Sequence, residues 1–141
     1  ESIFFFVRDD DRLCAFGMLK PITLTIGDTM IDILGIGNII ATVKREGYGK
    51  MLMHHIRDYL IEYERIGMGF CDPSVANFYQ KCGYQLTAGL YARYRYAYAA
   101  QDGEREQLKK PRHILSYDPN HQIIERLLAT DDTIYINKPF W

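Results

Sequence analysis

Nothing in this chain approaches the roughly 18 consecutive apolar residues that a membrane-spanning helix needs, so no membrane partner is expected. It also lacks a surplus of charge of either sign: 17 Lys and Arg stand against 18 Asp and Glu, a formal net charge of -1. General nucleic-acid binding requires a surplus of Lys and Arg to displace counterions, so nucleic acid is not expected as a partner either. Cysteine is scarce. Cys14, Cys71 and Cys82 form no CxxC pair and are odd in number, which predicts reduced thiols and a cytoplasmic location rather than a disulfide framework. No grouping of His, Cys and carboxylates has metal-ligand spacing, so no metal is expected. The opening Glu1-Ser2-Ile3-Phe4-Phe5-Phe6-Val7 lacks the basic region and cleavage site of a signal peptide and reads as a strand. Because that strand carries no starting Met, native sequence is expected upstream of it.

What is present fits one domain. Hydrophobic residues make up 48% of the 141 and charged residues 25%, enough for a core under a polar surface. Apolar and β-branched runs over residues 3–7, 13–19, 22–26, 30–34 and 36–43 predict an antiparallel meander of three or four strands. Pro21 marks an edge or bulge, and Gly27-Asp28 marks a turn. The period then changes. Leu52, Ile56, Tyr59, Leu60 and Tyr63 fall at i, i+4, i+7, i+8 and i+11, one face of a helix over residues 49–65. A short strand over 67–71 follows. Asp72-Pro73-Ser74 then opens a short helix to Lys81, which Gly83 ends.

Residues 84–86 and 91–99 read as strands, the second with Tyr94, Tyr96 and Tyr98 on one face and Arg93 and Arg95 on the other. Residues 101–112 are polar, a solvated helix or a loop. Asp118-Pro119-Asn120 precedes an amphipathic stretch with Ile123, Ile124, Leu127 and Leu128, and a last strand covers 133–136. Apolar Phe140-Trp141 predicts a docked end. The order predicts an α+β domain with a central mixed, mostly antiparallel sheet. Residues 1–100 form its body, and 101–141 form a C-terminal extension that packs on the same domain, covers the sheet or makes a homodimer contact.

The chemistry starts at Lys44-Arg45-Glu46-Gly47-Tyr48-Gly49-Lys50, between a strand and a helix. Glycines let backbone approach an anion, and the orphan N–H groups and dipole of a helix start favour phosphate. The stretch matches neither a P-loop nor GxGxxG, and by itself it reads more simply as a plain strand-to-helix turn. A second segment, Ala76-Asn77-Phe78-Tyr79-Gln80-Lys81-Cys82-Gly83-Tyr84, lies downstream after one helix and one strand. Together the two resemble the GNAT superfamily of acyl-CoA-dependent N-acetyltransferases. That family carries Gln/Arg-x-x-Gly-x-Gly/Ala at its pyrophosphate loop and Asn-x-x-Ala-x-x-x-Tyr, then Gly-Phe/Tyr, on a later helix. Lys44 stands where the family prefers Gln or Arg, and Ser74, Val75 and Ala76 stand where it has its Asn. The resemblance covers residues 3–86 and lacks the family's usual first strand and two helices.

The resemblance implies a GNAT-like fold and an enzyme that transfers acetyl from acetyl-CoA to an amine acceptor by direct attack. It places the pantetheine arm along Ile39, Ile40 and Ala41. The pyrophosphate falls on Lys44, Arg45, Glu46, Gly47, Tyr48, Gly49 and Lys50, with Asn77 as a further cofactor contact. A backbone N–H near Ile39 or Ile40 would polarise the acyl carbonyl. Tyr79 takes the position of the proton donor to the leaving thiolate. Asp32, a carboxylate inside the apolar run 30–34, is the candidate base, with Asp72 as its rival. Cys71 and Cys82 have no His and Asp in motif form and are not expected to act as nucleophiles. An alternative is a domain that binds acyl-CoA as a sensor without turnover.

Overall fold

In a computed structural model, residues 1–97, 110–120 and 122–138 are described. The expectations for Tyr98 and Ala99, for the polar stretch 101–109 and for Phe140-Trp141 lie outside them.

Alternating apolar residues from Ile3 to Ala41 build three long antiparallel strands, β1 (Ile3–Asp9), β2 (Arg12–Ile26) and β3 (Thr29–Ala41). Asp10, at φ 50, and Gly27, at φ 56, supply the left-handed residues of the two tight turns between them. The sequence predicts an edge or bulge at Pro21; β2 runs through it unbroken, with Pro21 facing an edge. The reason lies in the ladder. Leu34, opposite Pro21, donates its N–H to Ile66 and so points away from β2. The Pro21 nitrogen therefore points away from β3, toward the other edge of β2. There β1 stops at Leu19 and a later strand starts only at Leu24, so no ladder bond is missing.

Helix α1 (Tyr48–Glu62) carries the chain over the sheet to β4 (Gly67–Cys71), which pairs parallel to β3. A 3-10 turn at Pro73–Val75 leads into α2 (Ala76–Lys81) and then β5 (Gln85–Thr87). Residues 91–93, expected as strand, belong to a second 3-10 turn, Leu90–Arg93, which Gly89 starts at φ 81. Arg93 is held there by donating to the carbonyls of Leu127, at 2.6 Å, and Asp132, at 2.9 Å. β6 (Tyr94–Tyr96) does show the predicted faces, with both tyrosines buried and Arg95 exposed. β7 (His113–Tyr117), α3 (Ile123–Leu128) and β8 (Ile134–Ile136) complete the described chain. The eight-stranded sheet runs β5-β7-β4-β3-β2-β8-β6, with β1 on β2 beside β8.

Each face of the sheet has its own core. Leu52, Met53, Ile56 and Leu60 of α1 pack against Leu19, Leu34 and Ile36. On the opposite face, Met68, Tyr94, Ile114 and Leu127 pack against Ile22, Ile33 and Ile136. The buried stripe of α1 is rotated from the predicted one: Met53 is fully buried, whereas Tyr63 is 55% exposed and packs on Tyr59 with its ring tilted by 38°.

Where β3 and β4 are in register, the backbones come close. A Cβ on Gly69 would lie 2.6 Å from the carbonyl oxygen of Ile36. Backbone cannot rotate away as a side chain can, so Gly69→Ala should destabilise the fold by about 3 kcal/mol, the upper part of the overpacking range. A chemical-denaturation midpoint unchanged from the parent would contradict this close approach.

The buried tyrosines predict alkaline lability. Tyr84 donates to the Met53 carbonyl at 2.7 Å and Tyr94 to the Met68 sulfur at 2.8 Å. Burial pushes both phenols well above their ordinary pKa. In the unfolded chain they ionise near pH 10, so stability is intact below that and falls as pH rises above it. Each phenol contributes about 1.4 kcal/mol per pH unit. The pair should therefore remove about 5 kcal/mol by pH 12, comparable to the whole stability of a marginal domain. Thermal melts between about pH 9 and pH 12 check this, and a flat Tm would refute it.

Candidate functional site

The parallel pairing of β3 and β4 runs only from Leu34↔Gly67 to Ile36↔Gly69. Beyond it β3 stays with β2, pairing Ile40 with Phe16 and Ala41 with Ala15, while β4 stays with β7. The two strands part, and a cleft of about 280 Å³ opens between them. A bulge sits where they part. Between Phe16↔Ile40 and Met18↔Gly37, β2 supplies only Gly17 and β3 supplies Asn38 and Ile39. Asn38 takes the left-handed conformation at φ 52, which asparagine tolerates better than most residues. Gly17 makes room opposite, since a Cβ there would lie 2.8 Å from Ile39 Cδ1.

At the open end of β3 the chain turns through residues 42–47 into α1. Arg45, at φ 63, and Gly47, at φ 79, are both left-handed. Gly47 is the N-cap and no side chain caps the helix; the Met51 N–H bonds back to the Gly47 carbonyl at 3.0 Å. The N–H groups of Tyr48, Gly49 and Lys50 are thus orphan helix-start donors, and the dipole adds positive potential there. The nearest atoms to a Cβ on Gly49 would be Phe78 Cζ at 3.4 Å, Phe78 Cε1 at 3.8 Å and Ala41 Cβ at 3.9 Å, all ordinary contacts. The fold does not require glycine at that position. The side chains of Lys44, Arg45, Glu46 and Lys50 are exposed around the loop. Tyr48 donates its hydroxyl to Asp9 at 2.9 Å, so only its backbone serves the loop.

Tyr79 enters the cleft from α2. That helix ends in a tight C-terminal motif, with Tyr84 N–H bonded to the Tyr79 carbonyl, Gly83 N–H to that of Gln80, and Gly83 at φ 92. Arg57 of α1 donates to the Cys82 carbonyl at 3.1 Å and clamps the end of α2 onto α1. Burial, with smaller contributions from Cys71 and Cys82, pushes the Tyr79 phenol up to about 12. It keeps its proton throughout the neutral range.

The other expected residues divide. Ile39 lines the cleft, and Ile40 and Ala41 continue β3 beyond it toward the loop. Asp32 does not line the cleft. It lies seven residues before Ile39 on β3, about 23 Å along the strand, exposed and accepting from the Thr23 hydroxyl at 2.9 Å. Its rival Asp72 does line it. The Ser74 N–H, donating at 2.8 Å, holds the Asp72 carboxyl below its ordinary pKa, and Arg112 adds to this. Asp72 is therefore a standing negative charge and a weak base. Asn77 is exposed on α2 and does not line the cleft; its neighbour Phe78 leans over Gly49. Cys71 lines the cleft too, but burial raises its thiol pKa, which keeps it protonated.

Asn38, Arg112 and Leu115 are among the lining residues that the sequence does not single out. Arg112 and Leu115 reach the cleft because β7 pairs antiparallel to β4, with His113 opposite Cys71. No local pattern announces that pairing. Among the described residues, no three His, Cys, Asp or Glu side chains are grouped as a metal site would need.

No protein-family model matches the chain, and no curated protein matches it by sequence. Solved structures do match it in shape. The GNAT-family N-acetyltransferase YhbS from Escherichia coli, in complex with CoA, superposes with a TM-score of 0.57 at 11% identity, over 94% of this chain and 65% of that one. ElaA from Escherichia coli gives 0.53 at 15% identity, over 83% and 68%. A probable N-acyltransferase from Enterococcus faecalis gives 0.53 at 19% identity, over 62% of this chain and only 22% of the other. At such identities the likeness is one of fold: the chain has the GNAT-like α+β fold that its two motifs imply.

Proposed function

We propose that this domain is an N-acetyltransferase that moves an acetyl group from acetyl-CoA to a primary amine. The observation that carries the reading is the opening between β3 and β4, with an uncapped helix start at its outer end and the protonated Tyr79 inside it. The CoA held by YhbS, a protein of the same fold, supports the choice of donor. Acetyl-CoA supplies a thioester, whose acyl carbon accepts an amine and whose sulfur leaves as a thiolate.

Each group of residues has one job in this reading. The N–H groups from Arg45 to Lys50 hold the pyrophosphate, and Gly47 and Gly49 let it approach the backbone. Lys44, Arg45 and Lys50 add peripheral charge. Ile39, Ile40 and Ala41 offer the free edge of β3 to the amides of the pantetheine arm. A backbone N–H at the Asn38 bulge, near Ile39 or Ile40, polarises the acyl carbonyl. Tyr79 faces the departing sulfur with its phenol. Asp72 attracts the incoming ammonium, and the proton that nitrogen loses passes to water, because Asp32 is remote and Asp72 is a weak base.

Calorimetry with acetyl-CoA, followed by thiol release over a panel of amines, tests the reading. No binding at micromolar to low millimolar concentrations would end it. A second reading, acyl-CoA binding without turnover, draws support from the lack of a well-placed strong base among the described cleft residues. Tight binding with no thiol release from any amine would favour it.

A further inference from the structure

Arg112 lines two cavities at once. One is the β3–β4 cleft; the other, about 270 Å³, lies beside it and is also lined by Tyr91, Lys110 and His113. No carboxylate lines this second cavity among the described residues. Its position on the sheet follows from register. Ile114, two residues beyond Arg112, belongs to the core on the face away from α1, and the Tyr91 ring packs there on Phe70 with centroids 5.0 Å apart. The cationic cavity and the uncapped start of α1 thus lie on opposite faces of the sheet, and the cleft joins them.

Two observations give this arrangement a chemistry. The Arg112 side chain bonds the Tyr91 phenol, yet its Nε–H is buried with no partner among the described residues, so that donor is left unused by the protein. Asp72 and Arg112 line the same cleft, yet no salt bridge joins them. A carboxylate and a guanidinium kept apart in one cleft match the two ends of a zwitterion. The planar fork of arginine suits a carboxylate in particular, because it can donate two parallel hydrogen bonds.

We propose that the acceptor is an amine that also carries a carboxylate, its ammonium held by Asp72 and its carboxylate by Arg112, with Lys110 and His113 behind. This rests on the acetyltransferase reading above. The nitrogen–acyl bond forms, the carbon–sulfur bond breaks, and the products are the N-acetylated acid, the CoA thiol and one proton released to solvent.

The test compares free amino acids with their carboxamides in the thiol-release assay. The acid should exceed the matched amide in kcat/KM by at least about tenfold, the worth of a hydrogen-bonded charge. Arg112→Gln should collapse that ratio toward one through the KM of the acid, with acetyl-CoA still bound in calorimetry. Amides used as well as acids, or a ratio that survives Arg112→Gln, would overturn the proposal. If the Gln variant does not fold, the wild-type ratio decides alone. If the wild type does not bind acetyl-CoA, the acetyltransferase reading has failed and this proposal with it. If it binds and uses amines regardless of a carboxylate, only the acceptor assignment has failed.

Discussion

Gly49→Val is expected to weaken acetyl-CoA binding by at least about 100-fold in Kd while leaving Tm within a few degrees of the parent. The two halves of this expectation have separate causes. Gly49 lies in the first turn of α1 without a positive φ, and a Cβ there meets nothing closer than Phe78 Cζ at 3.4 Å. Phe78 is 38% exposed and can move outward. Intrinsic helix propensity even favours Val over Gly by a few tenths of a kcal/mol. An anion held by the N–H groups of Tyr48, Gly49 and Lys50, by contrast, needs the space that three added carbons would fill. Gly47 makes a poorer test, because its φ of 79 would strain any side chain and confuse lost binding with lost folding. Lys44→Ala should cost no more than about fivefold, as exposed charges do. Calorimetry and thermal melts on the same samples separate the outcomes. If the Val variant bound acetyl-CoA like the parent, the loop would be a strand-to-helix turn and nothing more.

Tyr79→Phe is expected to lower kcat by about 100-fold with little change in the KM for acetyl-CoA. The size follows from the two acids involved. A thiol ionises near pH 8.5, whereas burial holds the Tyr79 phenol at about 12. The proton is therefore held more tightly by the phenol than by the departing sulfur, and Tyr79 assists chiefly as a hydrogen-bond donor to the developing thiolate. That places the effect at the low end of the range for general acids. The variant removes one oxygen from a partly buried ring that also packs on Phe78, so the fold should be preserved. An unchanged kcat would remove Tyr79 from the chemistry. A protein that binds acetyl-CoA but never turns over would have no rate to lose.

The sequence carried the local features well. The glycine loop, the α2 segment ending at Gly83 and the Tyr94–Tyr96 faces are set by short-range rules of turn, cap and period, and all three appear in the structure. Pairing between distant segments was not legible. Arg112 and Leu115 reach the cleft only because β7 inserts between β4 and β5. The Asn38 bulge exists only because Gly17, on another strand, lies opposite it. Asp32 shows the same limit from the other side. A carboxylate in an apolar run looks functional until the register places it beside Thr23, well short of the point where β3 and β4 separate. Residue type could suggest a chemistry, but only tertiary pairing decides which carboxylate shares a cleft with Tyr79.

The strand order has a consequence in time. Among the described residues β5 pairs only with β7, and β6 only with β8. A chain emerging from the ribosome therefore holds β5 and β6 unpartnered until residues 113–117 and 134–136 have followed. The wall of the cleft that carries Arg112 and Leu115 arrives with the same late segment. Such long-range closure slows folding and leaves strand edges open meanwhile. The loop that begins the site is made early, but the pocket it serves exists only once β7 has joined the sheet.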